Sequence, residues 1–231
     1  MKILGIIIAG QHPENNETYI LEEHYHLDSV NFFARGTVKG SFKFVVRNSL
    51  KEFEQGSSHR VKHENHEVHV LMGSDAKAKI GVYAFCDSEY PVRVVKELLR
   101  ESLRVFEKNV GSQWVQKKGD QSVVNKEIGE KLVQYQNPKN VDKLVQLESN
   151  LEETKEILHD NLEKLLARQG DLDQLANKSN DLNVAAKQMY KQSKKTNKGC
   201  CYQFNFFNCA MLKLHVPVQT QVLQIKSYNF M

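Results

Sequence analysis

Long apolar runs are missing from this chain. No uncharged apolar stretch reaches the about 18 residues that a membrane-spanning helix needs. The longest candidate near the start, Ile3 to Gly10, meets His12, Pro13 and Glu14 at once, with no small-residue cleavage site after it. It therefore reads as a buried strand, not as a signal peptide. Cysteine is scarce: four occur, Cys86, Cys200, Cys201 and Cys209, with neither metal-ligand spacing nor the density of a disulfide scaffold. A reducing, cytosolic setting fits that usage. An excess of one charge is lacking too. The net charge of +4 is too modest to imply nucleic-acid binding. No glycine pattern for phosphate, no Ser or Cys nucleophile motif and no cofactor motif is visible, so no enzyme class is indicated.

What is present divides near "YQNPKN", Tyr135 to Asn140. The 231 residues allow one core of about 100–150 residues plus an extension. Before the division, strand-like segments alternate with turns. "KILGIIIAG" and "ETYILEEHYHL" read as two strands joined by the "QHPENN" loop. A helix capped by Ser29 would present Phe32 and Phe33, although Gly36 and Gly40 weaken it. "HEVHVLMG" and "AKIGVYAFCD" read as strands, and "PVRVVKELLRESLRVFEKNV" as an amphipathic helix opened by Pro91 and followed by Gly111. "SHRVKHENHEVHV" holds His59, His63, His66 and His69. No carboxylate pair or cysteine completes a metal site there, and the stretch reads as a polar loop entering a strand. The fold class is α+β, with an antiparallel sheet and helices.

After the division, residues 141 to 198 contain no proline and a single glycine, Gly170. Stepping alternately by three and four gives Leu144, Leu147, Leu151, Thr154, Leu158, Asn161, Leu165, Arg168, Leu172, Leu175, Ser179, Leu182, Ala186, Met189, Ser193 and Thr196. Ten of these sixteen positions are apolar. A strict 3.5-residue repeat of that length specifies a left-handed coiled coil, whose stripe must pack on partner helices or fold back on its own domain. Arg168 interrupts the seam between Leu165 and Leu172. A guanidinium buried there costs several kcal/mol unless its donors are satisfied. It reads either as an arginine whose head reaches water or as a device that fixes register through facing amide acceptors. Gly170 weakens a helix by about 0.5–1 kcal/mol relative to Ala, so the segment is expected to be partly unwound without partners.

The motifs "EYPVRVV", "YQNP", "ETKEILHDNLEKLLAR", "LDQLANKS" and "KQMYKQSKKTNKGCC" resemble those of longin-domain R-SNAREs, most closely the double-cysteine, lipid-anchored YKT type. The resemblance covers residues 1 to about 201. It implies a longin domain at 1–135, a five-stranded antiparallel sheet with one helix on one face and two on the other. A linker at 136–140 and a long R-SNARE coiled-coil helix with a basic lipid-anchor region at 141–201 follow, then an atypical extension at 202–231 expected to be disordered. It implies that the sixteen seam positions are core layers and that Arg168 is the ionic central layer. The partners implied are three Q-SNARE helices (Qa, Qb, Qc), the SNARE disassembly machinery and, in a closed form, the longin domain itself. By position, Phe42 and Phe44 are the candidates for a groove-facing phenylalanine. No cofactor is implied. The expected place is the cytoplasm, cycling to the cytoplasmic face of Golgi, vesicle and endomembranes.

Lys187, Lys191, Lys194, Lys195 and Lys198 precede the cysteine pair. They suit a solvated helix end and also attraction to an anionic membrane surface. By the resemblance, Cys201 takes a prenyl chain and Cys200 a second lipid, because one chain binds marginally and two hold stably. "CYQF" has the spacing of a prenylation box, but Asn205 follows where a free carboxylate is needed. Two functions are therefore expected: a fusion R-SNARE of the secretory pathway, or an unlipidated longin regulator that competes for SNARE partners. A longin-domain acyl transferase finds no nucleophile, since Cys86 is placed on a strand.

Overall fold

A computed structural model describes residues 1–75, 78–116, 118–121, 125–139, 141 and 156–188. The domain is built from strands β1 (Ile3–Gln11), β2 (Thr18–Tyr25), β3 (Ser58–His63), β4 (His66–Met72) and β5 (Lys79–Asp87). They alternate with helices α1 (Phe32–Ser49), α2 (Val92–Asn109) and α3 (Lys126–Gln134). The sheet order is β2-β1-β5-β4-β3, with every one of these neighbours antiparallel. β1 lies inside the sheet with helices on both faces, which is why it is apolar at nearly every position instead of alternating.

One face carries α1. Val38, Phe42, Phe44, Val45 and Val46 pack there against Ile7, Val70, Tyr83 and Phe85. Phe42 lies flat on Phe85, with centroids 3.9 Å apart and planes within 6°. The other face carries α2 and α3, which set Val94, Leu98, Phe106, Ile128 and Leu132 on Ile6, Ile8, Val82 and Ala84. One helix on one face and two on the other is the arrangement that the resemblance implies.

Three local readings change. The cap of α1 is Asn31, not Ser29: the Asn31 carboxamide accepts from the Phe33 amide at 3.0 Å. The histidine-rich stretch is not a loop but strand β3 and a tight turn into β4, with His63 opposite His66 and Glu64 in a left-handed conformation. Val61 is the one aliphatic residue in β3, so alternation could not be read there. His59 takes an inward apolar place instead, stacked on Phe53 at 4.0 Å. The third change is a sixth strand, β6 (Glu156–His159), added parallel to β3 by the segment beyond residue 141.

The motifs "EYP" and "YQNP" meet at one point. The Tyr90 hydroxyl donates to the backbone oxygen of Tyr135, and the Tyr135 hydroxyl donates to Glu101 at 2.9 Å. Gln136 returns to β1, donating to the Ile3 oxygen at 2.8 Å while its own oxygen accepts from the Ile3 amide at 3.3 Å. These bonds fasten the end of α3 to the start of the sheet. Tyr90→Phe leaves a buried carbonyl without its donor, and the expected cost of about 1–2 kcal/mol is read as a lower urea midpoint.

Candidate functional site

From Glu156 the segment crosses the β3 edge and then the α1 face. β6 pairs Ser58 with Glu156 through Val61 with His159. Then come α4 (Leu162–Leu166), a 3-10 turn (Ala167–Gln169), α5 (Leu172–Lys178) and a helical turn at 184–188. Leu162, Leu165, Leu166, Ala176, Leu182 and Ala186 are buried in the same core as Phe42 and Phe44. The domain and the segment thus share one apolar layer.

The segment is not one long helix, and its polar residues explain where it breaks. Asn161 caps α4 by accepting from the Lys164 amide at 3.1 Å, and Asp171 caps α5 by accepting from the Asp173 amide at 2.9 Å. Between them Gly170 adopts φ +136°, open to glycine and strained for other residues, and ends the 3-10 turn. Ser179 accepts from the Asp181 amide at 3.2 Å, and Asn183 from the Ala186 amide at 2.9 Å. The unwinding expected at Gly170 is present.

Two polar clusters hold the segment. At the sheet edge the bonds run in one direction. His159 Nε2 donates to His59 Nδ1 at 3.1 Å, His59 Nε2 donates to the Ser57 hydroxyl at 2.6 Å, and that hydroxyl donates to the Glu54 oxygen at 2.5 Å. This tautomer is assigned from the bonds, since the Ser57 proton is already committed. The bond between the two rings is lost once both imidazoles are protonated, because each facing nitrogen then carries a proton. Burial, then His159 and Lys79, push His59 down to about 4. Burial, then Arg168, hold His159 below its ordinary value, against the pull of Asp160. Lys96 adds an ion pair to Glu156 at 3.0 Å, and Gln169 donates to Glu52.

The second cluster centres on Arg47 in the last turn of α1. Its Nε donates to Asp181 at 2.7 Å, one terminal nitrogen to Asp120 at 2.5 Å and the other to the Thr18 oxygen at 2.5 Å. Burial alone lowers the guanidinium pKa, and the bonds to Asp120 and Asp181 outweigh it and raise it. Beside this cluster Gly40 lets the segment backbone onto α1: a Cβ there would lie 2.2 Å from the Asp181 oxygen. The glycine that weakened the helix reading is what the approach requires.

Of the seam positions, Leu165, Leu182 and Ala186 are buried, Leu172, Leu175, Asn161 and Ser179 are half-buried, and Leu158 is 59% exposed. Arg168 is exposed in the 3-10 turn. Leu144, Leu147, Leu151, Thr154, Met189, Ser193 and Thr196 lie outside the described residues, as do Cys200, Cys201 and the 202–231 extension. Phe42 and Phe44 are both fully buried in the shared layer. Cys86 is fully buried on β5, and burial pushes its thiol well up, so it is no nucleophile. Sequence reasoning missed Gly40, Arg47 and the His59–His159 pair. Only the density of histidines hinted at the last.

Comparison with known proteins matches both parts of the chain. Residues 27–132 match the longin model, described as a regulated-SNARE-like domain, and residues 143–214 match the synaptobrevin model. The chain is 34% identical over 201 residues to a VAMP-like protein YKT61 of Arabidopsis thaliana, covering 87% of this chain and 98% of that one. It is 33% identical over 203 residues to a putative synaptobrevin homolog YKT6 of Dictyostelium discoideum, covering 87% and 100%. A synaptobrevin homolog YKT6 of Yarrowia lipolytica is 32% identical over 191 residues, covering 82% and 94%.

Gly40→Ala should favour α1 as an isolated helix yet expel the segment, raising amide exchange of residues 156–188 while that of α2 stays unchanged. Acid should act at the other cluster. Both imidazoles are favoured neutral when β6 is docked, so the docking is complete above pH 6.5, the ordinary histidine value, and is lost as pH falls toward about 4. Imidazole NMR signals titrating near 4 for His59, with loss of the β3–β6 contacts over that window, check this.

Proposed function

The chain belongs to the YKT-type longin-domain R-SNAREs, and on that premise we propose that it acts in membrane fusion by zippering residues 141–201 with three Q-SNARE helices. Arg168 is the ionic central layer of that bundle, and the remaining fifteen seam positions are its core layers. The SNARE disassembly machinery recycles it. The fold-back of 156–188 on the longin domain is the closed form that withholds the segment, with Phe42 and Phe44 beneath it. The lysines before Cys200 and Cys201, with lipids on those cysteines where the chain ends at the box, bring it to the cytoplasmic face of Golgi, vesicle and endomembranes. The role needs no catalysis.

The observation that carries this reading is the double use of one stripe. Leu165, Leu182 and Ala186 have coiled-coil spacing and are buried against α1 and the sheet. They serve the domain or the partner helices, not both. Burial of a leucine is worth about 1.5–3 kcal/mol, so the domain holds the segment firmly but incompletely. The side chains of Leu158 and Arg168 stay exposed in the fold-back and gain burial only in the bundle.

Mixing the full chain with three Q-SNARE helices should give a thermally stable four-helix complex. Leu165→Asp with Leu182→Asp should abolish it, and Gly40→Ala should speed its formation several-fold by freeing the segment. If the unaltered chain and Gly40→Ala both fail to assemble, the R-SNARE reading falls.

A further inference from the structure

We propose that Asp120 is a positioning residue for release of the segment. From a loop at the β2 edge it aims Arg47 at Asp181, and so sets how firmly residues 156–188 are withheld. This deepens the fusion reading and rests on its closed form.

Among the described residues, Asp120 does not touch the segment that it controls. Its two oxygens have separate partners: Oδ1 accepts from the Ile20 amide at 2.9 Å, and Oδ2 accepts from Arg47 at 2.5 Å. The Ile20 bond fixes the carboxylate against β2, the last strand on this side of the sheet. The neighbours of Asp120 fix the loop itself. The Gln121 amide donates to the Ile20 oxygen at 2.8 Å, and its carboxamide donates to the Trp114 oxygen at 2.9 Å. Trp114 is buried in the core under α2 and α3. Lys118 pairs with Glu14 at 2.9 Å. The acceptor offered to Arg47 is thus held in place from the core.

Arginine needs such a fixture. Its guanidinium is a planar fork on a flexible stem, so a partner that fixes one nitrogen aims the others. One terminal nitrogen lies on Asp120 and the other on the Thr18 oxygen, which leaves Nε facing Asp181 at 2.7 Å. Asp181 is the residue whose backbone lies on Gly40, and Leu182 beside it is buried in the layer with Phe42. One carboxylate on the loop therefore acts on the seat of the segment through a single side chain. The side chain of Asp120 is 49% exposed and that of Asp181 12%. The open end of this relay is the loop, and the covered end is the segment.

The test compares amide exchange of the full chain with that of Asp120→Asn. The new carboxamide oxygen still accepts from Ile20, so the β2 edge is kept while the charge that holds Arg47 is lost. Exchange of residues 156–188 should rise about fivefold, a modest figure because the pair is partly exposed. Exchange of β2 and α2 should stay unchanged. Arg47→Gln should raise exchange of the segment too, and in that background Asp120→Asn should add nothing. Unchanged segment exchange in Asp120→Asn overturns the proposal. A further rise in the Arg47→Gln background overturns it as well, because Asp120 then acts by another route. A rise in β2 together with the segment assigns Asp120 to the sheet edge alone and also overturns it. Asp120→Asn should speed assembly with three Q-SNARE helices in step with the exchange. If exchange follows Asp120 but assembly does not, the closed-form reading falls and the positioning role stands.

Discussion

One apolar layer has to be closed, and everything else follows from how. The face of the sheet under α1 is wider than a single helix covers. Phe42, Phe85 and Tyr83 fill its centre, and the remainder is sealed by Leu162, Leu165, Leu166 and Leu182 from a segment more than a hundred residues away from α1 in sequence. Close packing leaves little room for an empty space of that size. The segment, for its part, carries a stripe that water does not tolerate. Each is the other's solution, and any partner helix that takes the stripe uncovers the domain.

The polar residues of the segment have two meanings in this light. In a continuous coiled coil, Asn161 and Ser179 are seam positions that spend stability on register. In the folded-back chain they turn inward to the backbone: Asn161 caps a helix and Ser179 a turn. Side chains of this kind compete with the helix ladder by offering the backbone another partner. In the folded-back chain these residues mark the joints at which the segment turns.

Much of the domain was legible beforehand. β1, β2, β4 and β5 announced themselves by apolar runs between turn residues, and α2 by its stripe between Pro91 and Gly111. The seam was legible because a 3.5-residue period is a rule about spacing, which needs no three-dimensional knowledge. β3 was not legible, because histidine stands where an aliphatic residue would have shown the alternation. Nor was the fold-back route: the burial of Leu162, Leu166 and Ala176 off the seam depends on breaks set by Gly170 and Asp171. Gly40 could be seen as a weakness in a helix but not as a seat, since the backbone it receives lies 141 positions later, at Asp181.

The position of β6 bears on any release of the segment. β6 is the outermost strand, so its departure turns β3 into a bare edge, with backbone donors and acceptors facing whatever comes near. Such edges recruit foreign strands and seed aggregates. β3 reads "SHRVKH", with Arg60 and Lys62 among its histidines. That composition makes a poor strand to recognise and a poor strand to copy. The charge that obscured β3 would keep that edge from offering itself to neighbours in a chain whose segment had left.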